Sequence, residues 1–116
     1  MAFDRLGGIL ADLLIFAQSL TGYSIPAELP EIAFVPPAEL QRTACDRPCE
    51  VYGWYPLGPT IYLDDRLDPV RDAKARSILL HELVHYLQNA HGAFSDRTEC
   101  RNWAMRERQA YRIQAR

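Results

Sequence analysis

Phe3, Leu6, Leu10, Leu13, Leu14, Ala17 and Leu20 recur three and four residues apart, the spacing of one helical face, and Gly22 stands where such a helix closes. The pattern predicts a helix over about 3 to 21. Pro26, Pro30, Pro36 and Pro37 then punctuate the chain, leaving Glu31 to Val35 as a short strand between breakers and Ala38 to Ala44 as a helical turn or loop. Val51 to Tyr55 and Thr60 to Leu63 are aromatic and β-branched runs on either side of Pro56-Leu57-Gly58-Pro59, which predicts a hairpin or closely spaced strand pair. Asp68-Pro69 offers an N-cap and a first-turn proline for a helix that runs to a stop near Gly92. Ser95 and Asp96 offer the next cap, for a helix continuing to the C-terminus. With no repeat or linker in view, this order predicts one α+β domain, a small sheet packed on helices.

Composition changes that picture little. A chain of 116 residues has room for one core, and its 48% hydrophobic and 24% charged residues are ordinary globular values. A formal net charge of −2 gives no reason to expect a polyanion, so the stripe Arg97, Arg101, Arg108 and Arg112 on the last helix is read as a solvated face rather than a nucleic-acid surface. The apolar stretch Ile9 to Ala17 is interrupted by Asp12, which suits an amphipathic helix better than a signal peptide or membrane span. Cys45 and Cys49 flank a turn-like segment that could close as a disulfide or stay as two thiols, and a metal site on that pair lacks further ligands nearby. Cys100 projects onto the apolar side of the last helix as a buried thiol.

One segment carries chemistry. His81-Glu82-Leu83-Val84-His85 lies inside an apolar run, and on a helix its two histidines fall about 40° apart on one face, one turn apart. Both imidazoles can then reach one metal ion, with Glu82 beside them as a general base. At these residues the sequence resembles the zincin metallopeptidases. The resemblance covers about 51 to 114 and implies a zincin-like fold: a small antiparallel or mixed sheet on the active helix and a C-terminal helix, with Thr60 to Leu63 near the cleft.

Two histidines do not complete a site, and His91, Glu99 and Glu107 compete for the third place. His91 follows His85 by six residues, the metzincin spacing, but Gln88 stands where that pattern needs a glycine to turn the chain back. Glu99 is accounted for by a capping box with Asp96. Glu107 falls in the middle of the less polar arc Cys100, Trp103, Ala104, Tyr111 and Gln114, where a lone carboxylate is costly unless it binds metal or meets an arginine such as Arg71 or Arg76. The string Glu107-Arg108-Gln109-Ala110 also resembles the Glu-x-x-Ala segment carrying the carboxylate ligand of gluzincins.

These expectations amount to a zinc metallopeptidase with His81, His85 and Glu107 on Zn2+ and Glu82 as base, acting on a peptide or protein. Tyr86 and Tyr111 are candidate donors to a developing oxyanion. The competing class is a non-catalytic zinc-containing module that holds a peptide, and a nucleic-acid role ranks third. No membrane association is expected, and substrate identity, oligomeric state and compartment are not written in the sequence.

Overall fold

The computed structural model describes residues 2–45, 51–93 and 100–115. Helix α1 (Ala2–Thr21) ends where Gly22 takes a φ of 78°, a conformation glycine adopts without a Cβ clash, and donates its N–H to the Gln18 carbonyl. Strand β1 (Glu31–Val35) leads into α2 (Pro37–Ala44), with Pro37 at the first helical position where its missing N–H costs nothing. Strands β2 (Gly53–Trp54) and β3 (Thr60–Asp64) follow, then α3 (Ala73–Ala90) and α4 (Cys100–Gln114). The result is a small α+β fold of four helices and a three-stranded mixed sheet among the described residues.

Helix α3 is the hub. Leu79, Leu83, Val84 and Leu87 have no exposed surface, and the helix packs against α1, α4, β2 and β3. Leu10, Leu14 and Ala17 of α1 and Ile61 and Leu63 of β3 complete the same core. Burial on nearly every side is what an all-round apolar helix requires.

Three expectations are corrected. First, α3 opens at Asp72, whose carboxylate accepts from the Lys74 and Ala75 N–H groups; Asp68 instead caps a separate turn through Val70 and Arg71. The Arg76 guanidinium donates to the Pro69 and Val70 carbonyls, which holds that turn distinct from the helix. Second, the sheet order is β1-β3-β2, parallel on one side and antiparallel on the other, so Thr60 to Leu63 is the central strand and β2 is the edge near the cleft. β1 pairs along the whole of β3, while the two residues of β2 pair with Tyr62 and Leu63 on its other side. Third, the buried face of α4 is Arg106, Ala110 and Ile113, while Trp103 and Tyr111 are 59% and 61% exposed. Small Ala110 lets α4 approach α3, and the bulky aromatics flank the contact instead of filling it.

Cys45 is half of a disulfide, whereas Cys49 and the side chain of Cys100 lie outside the described residues, as does the predicted cap at Ser95 and Asp96. No helix among the described residues is long and apolar enough to cross a membrane.

Candidate metal centre

His81 and His85 stand one turn apart on α3 with their Nε2 atoms 3.2 Å apart. From α4, the Glu107 carboxylate places one oxygen 2.6 Å from His85 Nε2 and the other 3.4 Å from His81 Nε2. One ligand atom from each of the three residues lies within 4.8 Å of the others, so the group could hold a metal ion. His81 is buried and His85 and Glu107 are half-buried, which leaves the cluster open on one side.

Neighbouring groups fix where the imidazole protons sit. The Gln88 amide nitrogen is 3.0 Å from the Arg106 carbonyl, which can only accept, so the Gln88 oxygen faces His85 Nδ1 at 2.9 Å. That nitrogen must therefore carry the hydrogen. On the other imidazole, the Ser77 hydroxyl spends its proton on the Lys74 carbonyl at 2.7 Å and accepts a long 3.5 Å contact from the Gln114 amide nitrogen. The Gln114 oxygen then accepts from His81 Nδ1 at 2.9 Å. Both Nε2 atoms are left as lone pairs, aimed at each other and at a carboxylate. Acceptors crowded in this way repel unless a cation lies among them.

An imidazole that takes up a second proton, on Nε2, puts a positive charge among these acceptors. Burial works against ionising Glu107, but hydrogen bonds from His81 and His85, with their positive charge, hold its pKa down at about 2. Burial likewise opposes a charged His85, and the hydrogen bond and charge of Glu107 outweigh it and raise that imidazole above its ordinary value. Glu82 behaves differently. Burial pushes its carboxyl up, with the nearby imidazole charges and the Tyr55 backbone N–H pulling the other way. A carboxylate raised in this way is a better proton acceptor than an exposed one.

A cleft of about 410 Å³ opens on the cluster, lined by Glu82, His85 and Glu107 together with Trp54, Leu57, Trp103 and Arg106. Strand β2 comes close enough to form its wall only because residue 53 is glycine. A Cβ there would lie 3.1 Å from Glu82 Cγ, 3.1 Å from Ile78 Cγ2 and 3.2 Å from Leu63 Cδ2. Leu57, at the rim, holds a left-handed φ of 68°.

The other candidates fall elsewhere. His91 is the exposed C-cap of α3, its Nε2 2.8 Å from the Ser24 carbonyl and its ring stacked on Tyr23 at 5.3 Å. Glu99 and Arg97 lie outside the described residues, and Arg101, Arg108 and Arg112 are exposed. Arg71 approaches Asp68 and Arg76 caps the preceding turn, so neither arginine anticipated for Glu107 pairs with it. The Tyr86 hydroxyl donates to the Glu28 carbonyl, whereas the Tyr111 ring packs edge-on against His81 at 4.4 Å. Neither phenol is among the residues that line the cleft.

Sequence reasoning missed Gln88 and Gln114 as partners of the site, and Gly53 as the residue that admits Glu82. The signal for Gln88 was present: a polar side chain three residues beyond His85 on a helix otherwise buried. No protein-family model, curated protein or solved structure matches the chain.

Proposed function

We propose that the chain is a zinc-dependent metallopeptidase, a minimal zincin of the gluzincin kind, with His81, His85 and Glu107 as metal ligands and Glu82 as general base. The observation that carries this reading is the convergence of two Nε2 lone pairs and a carboxylate beside a buried, proton-seeking Glu82 in an open cleft. Two imidazoles and one carboxylate are a donor set of catalytic zinc, which keeps a further position for water or substrate. Bound there, zinc supplies Lewis acidity that polarises a peptide carbonyl and acidifies a water.

The chain's own residues do the rest. Glu82 takes the proton of the attacking water and passes it to the departing amine, so its raised proton affinity serves both transfers. The cleft between β2 and α4 receives the peptide, with Trp54 on one wall and Trp103 on the other. Edge strand β2 takes the place that the sequence resemblance assigned to 60–63.

The exposed apolar rim, Trp103 at 59% and Leu57 at 44%, also suits the rival reading of a zinc-containing module that grips a peptide without cutting it. A peptide library incubated with zinc-loaded protein separates them. Cleavage that drops about 10²- to 10⁴-fold in Glu82→Gln, with zinc retained, supports the peptidase. Zinc-loaded wild type that binds peptides and cleaves none of them supports the binding module.

A further inference from the structure

The two glutamines stand in an unusual relation to the site. Gln88 is fully buried and every polar atom it has is engaged: its oxygen takes the His85 proton, and its two N–H bonds go to the Arg106 carbonyl and to Gln109 Oε1, at 3.0 Å and 2.9 Å. It belongs to α3 and reaches α4. Gln114 does the reverse, since it belongs to α4 and orients His81 on α3. The register of α4 on α3 that delivers Glu107 to the imidazoles therefore also delivers the acceptors that fix their tautomers.

We propose that Gln88 and Gln114 are positioning residues of the metal centre: two neutral carboxamides that present each Nε2 to the ion while leaving both histidines weaker donors than carboxylate partners would. This rests on the zinc reading above. A metal-bound imidazole donates its other N–H to an outer partner, and an anionic partner increases the basicity of the ring. A carboxamide oxygen gives the same direction without the charge.

The positions differ in what they tolerate. A carboxylate at 88 would set acceptor against acceptor, at the Arg106 carbonyl and at Gln109 Oε1, so that site requires an amide. At 114 only the long 3.5 Å contact to Ser77 is at stake, so a carboxylate there gives up one weak partner and keeps its acceptor oxygen toward His81. Position 114 is thus where charge can be varied with geometry kept.

The test compares wild type, Gln114→Leu, Gln114→Glu and Gln88→Leu by Zn2+ competition against a chromophoric chelator and by nitrogen NMR of the imidazoles in ion-free protein at alkaline pH. In wild type both rings carry their proton on Nδ1. Gln114→Leu loses that preference at His81 and binds zinc about 10- to 100-fold more weakly. Gln114→Glu keeps the Nδ1–H form and binds zinc at least as tightly as wild type, an outcome that a purely packing role for this side chain does not produce. Should Gln88→Leu fail to fold, the Gln114 pair decides alone. Folded Gln114→Leu with wild-type affinity, or Gln114→Glu as weak as Gln114→Leu, overturns the inference while leaving the zinc reading intact. Wild-type protein that takes up no zinc overturns both.

Discussion

Helices α3 and α4 both contribute to the centre, but they are built on different terms. Helix α3 is enclosed by α1, α4 and the sheet, and it offers His81 and Glu82 from a surface only 7% and 8% exposed. Helix α4 is covered on one side alone, through Arg106, Ala110 and Ile113, and offers Glu107 from the border of that face. In α3 the packing residues and the chemical residues are interleaved, so the fold and the site stand or fall together. In α4 they are separable. A half-buried carboxylate can leave its face without emptying the core, whereas the imidazoles sit on the same helix as the fully buried Leu83 and Val84 and cannot be shifted apart from them.

Three substitutions sharpen the contrast. Leu83→Ala, in the middle of α3, removes a side chain with no exposed surface and is expected to cost about 2–5 kcal/mol in urea unfolding, the range for cavities left in a packed core. Gly53→Ala tests the wall between sheet and α3. Its new Cβ meets Glu82 Cγ and Ile78 Cγ2 at 3.1 Å, so we expect a loss of about 1–3 kcal/mol and a fall in peptide turnover with zinc still bound. Trp103→Ala, on α4, deletes a far larger side chain that is 59% exposed, and its stability should change by less than about 0.5 kcal/mol while peptide affinity weakens. If Trp103→Ala destabilises the fold as much as Leu83→Ala does, the contrast between the helices is broken.

The same contrast explains what was legible in the sequence. All-round hydrophobicity identified α3 as buried, and the four-residue histidine spacing placed both imidazoles on one face because helical geometry leaves no other arrangement. The first helix, β1 and the paired runs about Pro56 were readable from local periodicity and breakers. Helix α4 was harder. Its larger apolar side chains point to an arc through Trp103 and Tyr111, yet size is not burial, and the face that packs runs through Arg106, Ala110 and Ile113. Glu107 stands out in sequence through that arc and through its resemblance to a gluzincin segment, and it reaches the imidazoles from the side of the face that packs. The start of α3 is ambiguous in the sequence because two aspartates four residues apart can each cap a turn, and Arg76 reaching back to the Pro69 and Val70 carbonyls sets the Asp68 turn apart from the helix. The central place of β3 depended on a parallel partner, β1, that no local pattern announces.

Zinc content measured on the purified wild type alongside His91→Ala, Glu99→Ala and Glu107→Ala tests the central claim most directly. One equivalent of zinc in the wild type, kept by His91→Ala and Glu99→Ala and lost from Glu107→Ala, is the predicted result. Full retention in Glu107→Ala with loss in either of the other two would contradict a centre shared between α3 and α4.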